Sequence, residues 1–216
     1  MARILVINPN CSAACSAAIA GVLDPFRLPG GPVFDVVTLN EGPAAIYSWR
    51  DWHAVVEPMC RLVERSEADA TIIACGSDPG LEAVRTVTSR PVLGIFRSAV
   101  AAAVARAERF GVIALVESSK ARHRLGLRAM GLEERLAGEV ALNLSMEMLL
   151  EPDAARAALI AAARQLAGMG AETVILACTG MAHHAAAIRE AAGIPVIEPV
   201  QAAAALAMGA VLAEGR

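Results

Sequence analysis

No run in this chain is both long and apolar enough to cross a membrane on its own. The longest uncharged stretch, Pro199 to Ala213, is dominated by alanine and falls short of the roughly 20 residues a spanning helix needs. Basic runs are also missing. Lys+Arg number 19 against Asp+Glu 22, a net charge of −3, and nothing tracks a phosphate backbone, so nucleic acid is excluded as the expected partner. Aromatic residues make up only 3%, and both tryptophans and the single tyrosine sit between Tyr47 and Trp52. The hydrophobic share of 56% is largely alanine, which favours helix and adds little apolar area. At the amino end the apolar run Ile4 to Ile7 is too short for a leader core and stops at Asn8-Pro9-Asn10, so the expected location is the cytoplasm. Cysteines number five. An odd count in a reducing compartment argues against a disulfide framework, and their chemistry is sought as thiol chemistry.

Two apolar runs end abruptly in cysteine. Glu172 to Met181 reads as a buried strand that delivers Cys178 to its tip, followed by Thr179 and Gly180; Ala70 to Gly76 repeats the design with Cys75, then Gly76 and Ser77. The echo continues: Pro91-Val92 follows Cys75 by 16 positions, Pro195-Val196 follows Cys178 by 17, and each leads into an alanine-rich helix. Repetition of spacing and order together reads as an internal duplication of a supersecondary unit.

In chain order, strands are expected at Arg3–Asn8, Val33–Leu39, Thr71–Ala74, Pro91–Ile95, Gly111–Val116, Glu139–Leu144, Thr173–Ala177 and Pro195–Ile197. Helices are expected from Ser12 as cap to about Leu23, from Trp52 to Glu67, and after Asp78-Pro79-Gly80 to about Val87, with Asp78 as cap. Further helices are expected over Ser98–Arg109, over Lys120–Met130 behind Glu117-Ser118-Ser119, and over Pro152–Met169. Two more fill the stretch to Ala192 and the end of the chain. Strands alternating with helices imply an α/β fold of parallel sheets flanked by helices, with ligands at the carboxyl ends of strands. Asn8, Cys75, Val116 and Cys178 are placed at that rim. The expected division is a first lobe over 1–97, to which a final helix over 199–216 returns, and a second over 98–198.

A cysteine at a strand end and helix start is favoured as thiolate by the helix dipole and free amides. If the halves face each other, two such thiols flank a cleft, as needed to take a proton from one face of a carbon and return one to the other. Free cysteine is more often simply a small buried hydrophobe, but equivalent placement in two repeats favours access. Asn8 and Asn10 either donate to a substrate oxygen or merely form the turn; Ser77 and Thr179 either help hold that oxygen or cap helices. Ile46, Tyr47 and Trp49 either line a pocket or pack between subunits. His183 and His184, adjacent on a helix and so pointing in different directions, lack a second ligand pair, and Cys11 and Cys15 lack two further ligands, so no metal site is read. Cys60 fits the apolar face of its helix.

At these residues the chain resembles the aspartate/glutamate/hydantoin racemase superfamily, most closely its hydantoin racemase branch. The resemblance spans nearly the whole sequence: Ile7-Asn8-Pro9-Asn10, Gly42-Pro43-Ala44-Ala45-Ile46, Ala74-Cys75 with Asp78-Pro79-Gly80-Leu81, Pro91 to Ile95, and Cys178-Thr179-Gly180-Met181-Ala182. It implies two pseudosymmetric flavodoxin-like lobes with the active site in the cleft between them, and catalysis without metal or organic cofactor. It also implies Cys75 and Cys178 as opposed bases, and a homo-oligomer acting on a small molecule. The substrate-binding set it suggests is Asn8, Asn10, Ile46, Gly76, Ser77, Val116, Ser118, Thr179 and Gly180. Departures bear on the substrate. Ala114-Leu115 stands where the branch carries a Thr-Thr pair, Phe96-Arg97 where a glutamate is common, and Cys11 where threonine is usual. Arylmalonate decarboxylases keep only the second cysteine, so Cys75 favours racemase over decarboxylase, and a 5-substituted hydantoin is the expected substrate. Amino-acid racemases, maleate-type isomerases and, outside enzymes, a two-lobed small-molecule binding protein are the alternatives; a carboxylate substrate would call on Arg50 or Arg97.

Overall fold

In the first unit β-branched runs build a parallel sheet buried on both faces, which is why its inner strands read as continuous apolar stretches rather than as alternation. A computed structural model describes residues 1–151, 153 and 155–215. The chain divides into one unit of Met1–Ile95 with Val200–Arg216 and a second of Phe96–Pro199.

The first sheet comprises β1 (Arg3–Asn8), β2 (Val33–Thr38), β3 (Ala70–Ile73) and β4 (Val92–Gly94), in the order β2-β1-β3-β4 with parallel pairing throughout. Side chains alternate across it. Ile4 and Val6 join a cluster with Ile19 and Leu23 of α1 (Ala13–Val22) and Val200, Ala203, Ala207 and Val211 of the carboxyl-terminal helix Pro199–Ala213. Leu5 and Ile7 face Val55, Met59, Val63, Leu81 and Val84 on the other side. Ser12 caps α1, its hydroxyl accepting from the Cys15 amide.

Where a single helix is expected over Trp52–Glu67, the structure has two, α2 (Trp49–Ala54) and α3 (Val56–Glu64). Pro58 has no N–H to give the Ala54 carbonyl, which breaks the ladder at Val55. A Ser48/Asp51 capping box starts α2 ahead of expectation. After Cys75 only α4 (Leu81–Val84) forms, and Asp78 is not its cap: the residue lies in the left-handed region at φ 47°, and Gly80 holds the cap position. Helix α5 (Ile95–Val104) follows β4 directly and ends before Arg109.

The second unit repeats the plan with β5 (Phe110–Ala114), β6 (Leu136–Ala141), β7 (Thr173–Leu176) and β8 (Val196–Ile197), ordered β6-β5-β7-β8 and again all parallel. Strand β6 begins three residues before the expected Glu139. It is an edge strand, half-buried along its length, so no apolar run announces it. Helix α6 (Ser119–Met130) starts without a side-chain cap from Ser118. Its buried face is polar: the His123 ring bonds Glu139 and stacks on Phe96 at 4.6 Å between centroids.

A short helix α7 (Met146–Leu150), capped by Ser145, precedes α8 (Arg156–Gly168). Of the helix expected from Pro152, Pro152 and Ala154 lie outside the described residues. Beyond β7 the chain makes a 3-10 turn over Thr179–His184 before α9 (Ala185–Ala192), and α10 (Pro199–Ala213) closes the chain. Among the described residues no helix is long and apolar enough to cross a membrane.

Candidate active site

Each sheet delivers a thiol just past the carboxyl end of the strand beside its first one. In the first unit β3 ends at Ile73, and Ala74, whose amide bonds the Ile7 carbonyl, carries the chain into Cys75. Cys75 is half-buried, with its sulfur 3.7 Å from Ser77 Oγ. The loop closes through the Asp78 amide on the Cys75 carbonyl at 3.0 Å, and the Trp52 indole N–H donates to the Ser77 carbonyl at 3.0 Å. Buried Asp78 turns its carboxylate toward Gly94, where any Cβ would overlap it. A left-handed Asp and a side-chain-free β4 terminus therefore go together. Trp52 was read as opening a helix. Its hold on the cysteine loop has no local signal, because the partner carbonyl lies 25 residues away.

Asn8 ends β1 and is fully buried. Its carboxamide nitrogen lies 3.1 Å from Asn10 Oδ1, 3.1 Å from the Ser12 carbonyl and 3.0 Å from Ser16 Oγ, while its own oxygen accepts from the Asn10 amide. Asn10 Oδ1 in turn accepts from the Ser12 amide. These bonds knit the β1–α1 loop at the rim. Ile46 is half-buried against the Val55–Met59 cluster.

In the second unit Cys178 is 6% exposed and extended, its amide folded back onto the Leu176 carbonyl at 2.8 Å. Thr179 and Gly180 are buried beside it. Among the described residues the amides of Gly76, Ser77, Thr179 and Gly180 donate no hydrogen bond, so each cysteine loop offers two N–H groups. Val116 is half-buried and Ser118 exposed. Their loop is pinned by Asn143, in the left-handed region at φ 53°, whose Oδ1 accepts from the Glu117 amide at 2.9 Å.

His183 and His184, expected to diverge on a helix, lie in the 3-10 turn with rings 3.9 Å apart. Burial, then the Arg156 charge, pushes the His183 imidazole down; burial, then His183, does the same to His184. Burial, with Glu57 and Glu64, pushes the Cys60 thiol up. None of the five cysteines forms a disulfide, and among the described residues no group of three His, Cys, Asp or Glu could hold a metal ion.

The chain overlays an allantoin racemase from Klebsiella pneumoniae with TM-score 0.89 at 27% identity, covering 100% of this chain and 89% of that one. It overlays the allantoin racemase AllR of Pseudomonas fluorescens with TM-score 0.92 at 26% identity, covering 98% and 92%. A hydantoin racemase of Paenarthrobacter aurescens is 33% identical over 95% of this chain and 89% of its own length. Fold and relatives together define a two-lobed α/β isomerase of the racemase class. The chain belongs to the Asp/Glu/Hydantoin racemase family, whose model matches residues 4–207.

Proposed function

We propose that this enzyme racemises a carbon acid, most closely a 5-substituted hydantoin, using Cys75 and Cys178 as opposed base and acid without metal or organic cofactor. The observation that carries the proposal is the equivalence of the two thiols: each follows the strand in the same place of the same sheet order, and each is followed by small residues. In one direction a thiolate takes the C5 proton and becomes a thiol, while the other thiol gives its proton to the opposite face and becomes the thiolate. The enzyme is left in the mirror protonation state, which the reverse reaction restores.

A hydantoin suits so modest a base because the carbonyl beside C5 accepts the developing negative charge. The unbonded amides of Gly76, Ser77, Thr179 and Gly180 are suitable donors to that oxygen. Asn8 and Asn10 shape the rim, and Ile46, Val116 and Ser118 complete the substrate-binding set. In the same proposal the enzyme works as a cytoplasmic homo-oligomer on a small molecule.

The test is NMR in heavy water on enantiopure 5-substituted hydantoins with wild type, Cys75→Ser and Cys178→Ser, following deuterium entry at C5 and loss of optical rotation together. Racemisation with solvent deuterium in wild type, abolished in both variants, is the expected result. Turnover surviving in either variant refutes the two-base mechanism. Inertness toward hydantoins, amino acids, maleate and arylmalonates alike refutes the substrate class.

A further inference from the structure

Helix α7, five residues set between β6 and α8, stands where the first unit has α2 between β2 and α3, and it packs on the 3-10 turn behind Cys178. Two features hold it there. Gly180 lets the helix come close: a Cβ there would stand 3.0 Å from Met146 Sδ, a tight contact, and 3.4 Å from Leu149 Cβ. His184, 1% exposed, hydrogen-bonds the Leu149 backbone carbonyl, while its Nε2 has no hydrogen-bond partner.

A carbonyl only accepts, so the nitrogen that meets it carries a proton. A second proton on Nε2 would be buried without an acceptor, which is costly. Burial therefore favours the neutral ring, whose one N–H makes this bond, although the bond by itself favours the charged form. The charged groups around it are His183 and Arg156, which oppose protonation, and Asp153, which favours it.

We propose that His184 is a positioning residue: its neutral ring hooks the Leu149 carbonyl and seats α7 on the loop Cys178-Thr179-Gly180, fixing the thiol's loop and placing Met146 and Leu149 against it. The inference rests on the reading of Cys178 as a reacting group, but its test is separable from that reading.

Wild type is compared with His184→Leu, His184→Asn and His184→Gln. Three quantities are read: exchange of the Leu149 amide, which bonds the Ser145 carbonyl; the rate of Cys178 alkylation, with Cys75 in the same sample as reference; and kcat and KM separately. Asparagine can place its amide nitrogen where the donating ring nitrogen stands, and is expected to stay within about twofold of wild type in all three. Leucine and glutamine are expected to speed Leu149 exchange and Cys178 alkylation about fivefold to tenfold, as the loss of one hydrogen bond requires. Cys75 alkylation should stay unchanged and KM should rise. Exchange and alkylation in His184→Leu within about twofold of wild type overturn the inference, as does His184→Asn tracking His184→Leu. Absence of turnover in wild type counts against the racemase proposal alone, since exchange and alkylation judge His184 with no substrate present.

Discussion

Trp52→Phe tests a side-chain bond that α2 makes to the Cys75 loop. It removes the indole N–H from the Ser77 carbonyl, a 3.0 Å bond across 25 residues, and keeps an aromatic ring in the half-buried site. Loss of one neutral hydrogen bond costs about 1 kcal/mol. The smaller ring gives up about 40 Å² of apolar area, half of it already exposed, or roughly 0.5 kcal/mol more. Together these amount to about 1.5 kcal/mol, a fall in Tm of about 3–6 °C for a chain of this size. The bond's share should appear locally, as a fivefold rise in loop opening for about 1 kcal/mol. The reporter is the Asp78 amide, whose bond to the Cys75 carbonyl closes the loop. Hydrogen exchange read by NMR should show it accelerate about fivefold, while the Ala177 amide, bonded to Ile113 in the second unit, keeps its rate. An unchanged Asp78 rate, or equal acceleration of Asp78 and Ala177, would refute the view that Trp52 holds this loop.

Gly94→Ala drives a methyl group into the Asp78 carboxylate, and overpacking against a buried acid should cost about 2–3 kcal/mol by urea unfolding; a loss below about 0.5 kcal/mol would remove Gly94 from the support of the cysteine loop. Asn8→Asp confronts three acceptors, Asn10 Oδ1, the Ser12 carbonyl and Ser16 Oγ, with a buried carboxylate, and about 3 kcal/mol or more should be lost at neutral pH, less once the acid is protonated. His184 sits below the ordinary imidazole value of 6.5, so the unfolded chain takes up its proton first as pH falls. The stability linked to this ring is complete above pH 6.5 and is lost on acidification toward the depressed folded value. Tm measured between pH 7.5 and 5.5 should therefore fall less steeply in His184→Asn than in wild type, and parallel curves would contradict the assignment.

The inner strands β1, β3, β5 and β7 were legible because burial on both faces forces unbroken β-branched runs, and the thiols were legible because those runs stop at cysteine. What supports the thiols was not. Asp78 beside proline and glycine carries every local mark of a helix cap, yet its side chain serves a contact with Gly94 that no local pattern encodes. Pro58 splits a helix whose apolar spacing runs through the break. Edge strand β6 lacks the apolar run that marks its neighbours, and α7 is too short for periodicity to reveal. The histidine pair was read with α-helical geometry, whereas the 3-10 turn brings the rings together. Local pattern located most of these elements, though not α7, and for Asp78 and the edge strand contacts distant in sequence decided the outcome.

The repeat preserves the strand, its thiol and a short helix behind them, but not the bonds by which that helix meets the thiol's loop, and this has a kinetic consequence under the proposed mechanism. Cys75 is half-buried, near the Ser77 hydroxyl, in a loop held by Trp52 and a left-handed Asp78; Cys178 is buried, on a 3-10 turn held by α7 and His184. The two thiols are therefore different bases in different surroundings. Enantiomers in water have equal free energy, so kcat/KM must be the same in both directions whatever the thiols' chemistry. The inequivalence can appear only in kcat and KM taken separately, which should differ between pure enantiomers by the same factor, about threefold or more for a difference of about 0.7 kcal/mol between the bound states. Progress curves from each enantiomer at saturation measure it. Identical kcat and identical KM from both sides would mean that the two loops, for all their different scaffolding, present equivalent surroundings to the bound substrate.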